Sequence, residues 1–323
     1  MNLTHDDLLR EAGIAGFQPE ILEKAIRVFE LLSGLNSHAY LRPRFVLKGG
    51  TAINLFHLDV PRLSVDIDLN YIGSVDRETM LAERPKVEQA IEAVCRRLNL
   101  NVRRVPSEHA GGKWRLGYPR SAGRTGTLEL DLNFILRAPL WPPILMASRS
   151  LCGFRAQGVP VLDLHELIGG KLAALFGRTA ARDVFDAWNL LDRDDLDVQK
   201  LRLAFVVYGG VNRRDWRTLE RDEIHLDPVE VERNLVPVVR QGTAPPRAEL
   251  RAWTERLIHE TRERIAQVIP LCEHERAFLD RLNDHGVISP ELITQDARLR
   301  GVIASHPGLL WKAENVRRRV ERD

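Results

Sequence analysis

FVLKGGTAINLF, residues 45–56, followed closely by RLSVDIDLNYIG, residues 62–73, is the stretch from which the rest of the chain is read. Phe45, Val46 and Leu47 form a short apolar run that stops at Gly49-Gly50, a strand meeting a turn, and Thr51 to Leu58 reads as a short helix. From Val65 to Ile72 the pattern alternates as a strand does, with Ile67 and Leu69 on one face and Ser64, Asp66, Asp68 and Asn70 on the other. Carboxylates two residues apart on one strand face stand about 6.6 Å apart, so Asp66 and Asp68 are able to converge on one or two cations. Side by side without a counter-ion, two such charges repel by roughly 4 kcal/mol at 4 Å and an effective dielectric near 20. Two aspartates at an exposed edge escape that repulsion by facing water, so the pair alone decides little. The glycines add weight: they let the backbone approach a ligand closely, and a helix N-terminus aims amides and a positive dipole end at an anion such as phosphate. The G-x-x-x-x-G-K-[ST] spacing of a Walker loop is absent. The order of parts, strand, Gly-Gly-Thr, helix, acid-bearing strand, points to phosphate and metal handled together.

Working outward, Pro19 opens an amphipathic helix over residues 19–35, with Ile21, Leu22, Ala25, Ile26, Phe29 and Leu32 at helical spacing. A second helix is expected over residues 79–98, then short strands near 101–105 and 113–118. TLELDLNFI, residues 127–135, alternates cleanly, with Leu128, Leu130, Leu132 and Phe134 opposite Glu129, Asp131 and Asn133. Two-metal phosphoryl chemistry calls for a third carboxylate, and this polar face offers two; Asp131, nearer the strand centre, is preferred to Glu129. After a strand-like VPVL ending at Leu162 the pattern turns helical. Asp163 and Glu166 are spaced as a reciprocal cap opening a helix over residues 164–176. Gly169-Gly170 sits inside that helix, where each glycine costs about 1 kcal/mol against alanine, which signals close approach of another backbone or of a ligand. QGTAPP, residues 241–246, is a weak linker. Strands early and helices late give an α+β class, a core domain over residues 1–162 with its N-terminal helix and a mostly helical domain over 163–323.

A formal net charge of +2 over 323 residues means that affinity for nucleic acid has to come from local patches. Three scattered cysteines, Cys95, Cys152 and Cys272, make neither a disulfide framework nor a zinc knuckle. The acidic N-terminus lacks a signal-peptide core and no stretch is apolar enough to span a bilayer, so a cytoplasmic location is expected. Basic residues do cluster between 96 and 124: Arg96, Arg97, Arg103, Arg104, Lys113, Arg115, Arg120 and Arg124, with Glu108 the sole acid and Trp114 and Tyr118 interleaved. Cations with aromatics suit phosphate contact plus base stacking, and solvated edge strands kept apart by like charge give the same composition. Arg317, Arg318 and Arg319 form a second basic cluster at the tail.

The two opening segments together resemble the AbiEii/AbiGii nucleotidyltransferase toxins of bacterial type IV toxin–antitoxin systems, within the DNA polymerase β-like superfamily. DLHELIGGKLAALFGRTAARDVFDAWNLL, residues 163–191, is similar to that family's Lys…Arg…[KR]-D-x-x-D motif, and the tail SHPGLLWKAENVRRR has its character too. The resemblance implies a polymerase β-like mixed sheet and a nucleotide site at Lys48, Gly49, Gly50 and Thr51. It implies Mg²⁺ or Mn²⁺ on Asp66 and Asp68, with Asp131 less firmly the third ligand. It also implies Lys171 on the triphosphate or offsetting charge on the leaving pyrophosphate, and Asp183 completing a catalytic set of Asp66, Asp68, Lys171 and Asp183, with Arg182 and Asp186 alongside. Ser64 shares parity with the aspartates and either contacts phosphate, is a modification point, or simply bonds the backbone; Arg62 is left undecided.

The activity so implied is transfer of a nucleotide from NTP to RNA, in particular the tRNA 3′ end, which blocks translation, with a separately encoded antitoxin as partner. Arg103, Arg104, Lys113 and Arg115 are the RNA contacts this reading needs. Two rivals stay open: the same chemistry on a small hydroxyl compound or a protein side chain, and a non-catalytic scaffold that acts by binding. A scaffold would gain no thermal stability from Mg²⁺ plus a triphosphate.

Overall fold

A computed structural model of the chain describes residues 4–105 and 111–321; Glu108 lies outside them. The chain divides into two compact units. One comprises the residues up to Arg137 with Pro143–Leu162 and Leu235–Pro245, and the other Ala138–Pro142, Asp163–Asn234 and the residues from Pro246 onward.

The first unit holds helices α1 (His5–Ala15), α2 (Pro19–Ser37), α3 (Gly49–Ala52) and α4 (Arg77–Arg97), and strands β1 (Phe45–Lys48), β2 (Asp66–Tyr71), β3 (Asn101–Val105), β4 (Gly111–Pro119), β5 (Thr125–Asn133), β6 (Ile144–Met146) and β7 (Val159–Val161). Thr4 caps α1 and Asp76 caps α4, each accepting a first-turn amide. All seven strands join one mixed sheet in the order β3-β4-β5-β2-β1-β7-β6, in which β2 runs parallel to β5, β1 parallel to β7, and the remaining pairs are antiparallel.

The alternation seen in the sequence sets what each face of the sheet does. Leu47, Ile67, Leu69, Leu130, Leu132 and Trp114 are fully buried on the face that meets α2 and α4. Helix α2 buries more than the narrow stripe its spacing suggests: Leu22, Ala25, Val28, Phe29, Leu31, Leu32 and Leu35 are each within a few per cent of complete burial, whereas Ile21 is only half-buried. Fully burying a side chain of this size contributes about 1.5–3 kcal/mol, so this layer fixes the sheet from one side and leaves its other face to the polar parity.

The second unit is helical: α5 (Leu164–Arg178), α6 (Ala181–Leu190), α7 (Val198–Val211), the single turn α8 (Pro228–Glu230), α9 (Leu250–Arg264), α10 (Glu273–His285), α11 (Ala297–Ala304) and α12 (Pro307–Val320). Helix α5 starts where the sequence puts it, but the reciprocal cap does not form. Asp163 accepts the backbone N–H of His165, while Glu166 turns inward and accepts the N–H of Leu140 and the hydroxyl of Tyr208. Burial pushes the Glu166 carboxyl up to about 7 against those bonds. The first glycine of this helix serves a neighbouring backbone: a Cβ on Gly169 would stand 2.9 Å from the carbonyl carbon of Ala204 in α7. No helix among the described residues is long and apolar enough to cross a membrane, and Cys95, Cys152 and Cys272 are all free.

Candidate active site

The acid pair and the glycine turn meet. Gly49 adopts φ +72°, in the left-handed region that favours glycine, and a Cβ there would lie 2.2 Å from Oδ2 of Asp68. The carboxylate of Asp68 is therefore seated against the turn itself. A Cβ on Gly50 would stand 2.8 Å from the Ser64 hydroxyl and 2.9 Å from an Arg62 guanidinium nitrogen. Thr51, fully buried, donates its hydroxyl to the backbone carbonyl of Asp66, and Asn54 donates to the carbonyl of Gly50 at 3.0 Å. The helix following the turn starts two residues earlier than the spacing suggests, at Gly49, and opens into a wider π-helical turn over Ile53–His57. The Thr51 side chain thus staples the turn to the acid strand, leaving its backbone as what it offers a ligand. Ser64 and Arg62, both buried, stand beside Gly50, a placement that parity anticipated for Ser64 and left undecided for Arg62.

Strand register extends this corner into two rows on the face away from α2 and α4. In one, Lys48, Asp68, Asp131 and Lys113 are successive Cα partners across β1, β2, β5 and β4. In the next, Asp66, Glu129, Arg115 and Arg103 follow one another across β2, β5, β4 and β3. Both rows share one face because they are two residues apart on every strand. An open concavity of about 380 Å³ lies over the first row, lined by Lys48, Asp68, Gly111, Gly112, Lys113, Asp131 and their neighbours.

The charges in these rows are not equivalent. Burial raises the Asp131 carboxyl above its ordinary range; the Lys113 ammonium opposes that and the negative charge of Asp68 adds to it. Glu129 goes the other way, held low by its hydrogen bond from Lys113 against burial and helped by Arg115. Lys113 itself is raised, first by Glu129 and further by Asp131. Glu129 is thus spent between Lys113, at 2.7 Å, and Arg115, at 3.1 Å, while Asp131 meets Lys113 only at 3.4 Å. Asp131 is the better placed of the two to face Asp68.

Alternation also divides the basic stretch. Arg103 lies on the acid-bearing face, but Arg104 is the Cα partner of Trp114 on the other face and pairs with Glu88 of α4 at 2.9 Å. Arg104 therefore does not belong with Arg103, Arg115 and Lys113 as one surface. Arg96 pairs with Glu92 of its own helix α4 and Arg120 with Glu20 of α2, and Arg103 has no carboxylate partner among the described residues.

In the second unit, Lys171 and Asp183 form a cluster of their own. The Lys171 Nζ lies 2.7 Å from Asp183 and 2.9 Å from Asp186, and Arg178 holds the other Asp183 oxygen at 2.6 Å. All three central groups are buried. Burial raises the Asp183 carboxyl, and Lys171 and Arg178 more than reverse that, leaving it below the ordinary range. The ammonium expected to meet a triphosphate is already held between two carboxylates, and the Asp183–Asp186 spacing belongs to an interior ion cluster and not to a solvated helix face. Arg182 is exposed.

Divalent cations fit the donors present. Two carboxylates that are Cα partners on adjacent strands, all oxygen and half-exposed, match a hard cation that takes one or two protein carboxylates and completes its shell with water and substrate phosphates. No group of three His, Cys, Asp or Glu side chains is arranged to hold a metal ion among the described residues, so Asp66, Asp68 and Asp131 do not form a ready three-carboxylate set.

A comparison with curated proteins found no match. Among solved structures, MenT4, the nucleotidyltransferase toxin Rv2826c of Mycobacterium tuberculosis H37Rv, is similar to this chain with a TM-score of 0.60 at 19% identity, over 96% of this chain and 99% of that one. Residues 30–270 match the family model described as AbiEii, the nucleotidyl transferase AbiEii toxin of a type IV toxin–antitoxin system. With an α+β mixed sheet, an acid pair against a glycine turn, and that match over about three quarters of its length, the chain belongs to the AbiEii nucleotidyltransferase toxin family.

Proposed function

We propose that the protein transfers a nucleotide from NTP to an RNA hydroxyl, at the tRNA 3′ end, releasing pyrophosphate and so blocking translation. Mg²⁺ or Mn²⁺ is its cofactor on this reading, and a separately encoded antitoxin is its partner, acting with it in the cytoplasm. The observation that carries the reading is the seating of Asp68 against Gly49 with Asp131 as its neighbour on the next strand. Asp66 and Asp68 are the metal ligands in this account, with Asp131 third. Bound divalent ions would offset phosphate charge and make the attacking hydroxyl more acidic.

The chain's own residues do the rest. Gly49 lets the Asp68 carboxylate close on the turn, the backbone of the turn is what meets a phosphate group, and Lys48, next to Asp68 in register, supplies a positive charge on the nucleotide side. Ser64 stands beside Gly50 within reach of the same group. Lys113, Arg115 and Arg103 lead across the sheet from the acids and meet the RNA backbone. Ion pairs as exposed as that of Arg115 hold only about 0–1 kcal/mol, so RNA phosphates compete for these cations with the carboxylates that now hold them. The resemblance gives Lys171 and Asp183 catalytic roles as well, and we carry these as proposals to be tested on transfer and on stability separately.

One observation favours a second acceptor. Because Lys113 and Arg115 each have a carboxylate partner, the same site would serve a small hydroxyl compound. Pyrophosphate release from each of the four nucleotides, with and without tRNA and with and without Mg²⁺, separates the two. Release that depends on tRNA and Mg²⁺, with label on the 3′ end, is expected; release unaffected by tRNA favours the small acceptor, and no release with any nucleotide removes the reading.

A further inference from the structure

Lys113 sits where a cation is wanted. It is the Cα partner of Asp131, which is the Cα partner of Asp68, and it lines the same concavity as both aspartates. Its ammonium is shared unequally. The contact with Glu129 is short, 2.7 Å, and the contact with Asp131 is long, 3.4 Å. Glu129 lies two residues before Asp131 on the same strand face, and is itself fixed from the far side by Arg115 at 3.1 Å.

A long contact on one carboxylate beside a firm one on the next is an arrangement that can be undone from one end. We propose that Lys113 is a resident counter-cation for Asp131, which a divalent ion displaces, and that Glu129 retains the ammonium when it moves. This rests on the reading of Asp68 and Asp131 as cation ligands and adds the means by which the site stays neutralised before the metal arrives. The half-exposed acid pair would otherwise face itself, at a cost of the size that two like charges incur at this spacing. Lys113 bears that charge, and Glu129 spares it from being stranded when it yields its place. Glu129 is then no metal ligand; it acts on metal binding through Lys113.

Mn²⁺ binding to the purified full chain, followed by the loss of the free-ion paramagnetic resonance signal without nucleotide, tests this apart from activity. Lys113→Gln, and Lys113→Met as a second variant, should tighten Mn²⁺ roughly fivefold, the range of one partly exposed ion pair. Arg115→Gln removes the same charge nearby but does not touch Asp131, and should change binding less than about twofold. Glu129→Gln should weaken binding in the native background and lose most of that effect when combined with Lys113→Gln, because the pair acts as one unit. Equal tightening by Arg115→Gln and Lys113→Gln, or additive effects in the double variant, would overturn the proposal in favour of a general field. Unchanged binding in both Lys113 variants would overturn it as well. If the wild type takes up no Mn²⁺, or Asp131→Asn leaves uptake unaltered, the acid pair itself is misread and the proposed chemistry falls with it.

Discussion

Gly49 is more tightly constrained than Gly50, its neighbour in the turn, because it combines a positive φ with a closer Cβ contact. Its positive φ costs an ordinary side chain about 1–3 kcal/mol, and a methyl group would in addition press on the Asp68 carboxylate. Gly49→Ala should therefore push Asp68 out of place and lower transfer by an order of magnitude or more; transfer at the wild-type rate would show that Asp68 does not need the turn. Asp66→Asn keeps the size of the side chain and removes its charge. It should cost at least about a hundredfold in transfer, the scale of losing one main electrostatic stabiliser, with thermal unfolding unchanged. The meeting of Asp68 and Gly49 was legible in the sequence because both ends of it are local: a period of two on one side and a glycine pair on the other. The role of Lys113 was not. Whether it stands beside Asp131 or Glu129 depends on how β4 registers against β5, and register between strands is fixed by the packing of their buried faces. Arg103 and Arg104 differ for a local reason: as neighbours on β3 they alternate to opposite faces, so they cannot form one surface.

Helix α5 is held to α6 by the cluster of Lys171, Asp183 and Asp186, and to α7 through Gly169 and the Glu166–Tyr208 bond. Removing one partner of a buried charge pair costs about 3–5 kcal/mol. Lys171→Met removes the ammonium shared by two buried carboxylates, Asp183 and Asp186, and should lower the unfolding free energy by that amount, measured in denaturant; a loss below 1 kcal/mol would mean that the cluster is solvated. Transfer by this variant has to be read under conditions where it is folded. Glu166 gives a pH dependence of known sign. Its folded carboxyl titrates near 7 against 4.5 for the ordinary group, so its contribution is complete below pH 4.5 and is lost as the pH rises towards 7. Between those limits wild-type stability should fall relative to Glu166→Gln by about 3 kcal/mol, at about 1.4 kcal/mol for each pH step of one. A stability difference flat across that window would contradict the burial of a charged carboxylate. In the sequence Glu166 passed for a helix cap because the spacing fits one; only the tertiary neighbours Leu140 and Tyr208 show what it accepts.

Each unit is compact by itself, and the first is not one continuous segment: Ala138–Pro142 belongs with the helical unit and Leu235–Pro245 with the sheet. The pairing of Arg62 with Val239 and the bond from Leu63 N–H to the Val238 carbonyl show how that late segment joins the strands near the acids. Such exchanges leave no mark in periodicity, which reports only neighbours a few residues apart, whereas the change from strand to helix near Leu162 was plain from it. For the whole molecule, Mg²⁺ with a nucleoside triphosphate should raise the unfolding free energy by about 2.7 kcal/mol at a hundred times the dissociation constant, read as a shift in Tm; a non-catalytic scaffold should show none. The most direct measurement is the transfer of label from α-labelled NTP to tRNA by the wild type and by Asp68→Asn, in Mg²⁺ and with all four nucleotides. Labelled tRNA with the wild type and at least about a hundredfold less with the variant is the predicted result. Equal labelling by both proteins, in a variant shown to be folded, would contradict the account, because the carboxylate seated on the glycine turn would then have no part in the chemistry.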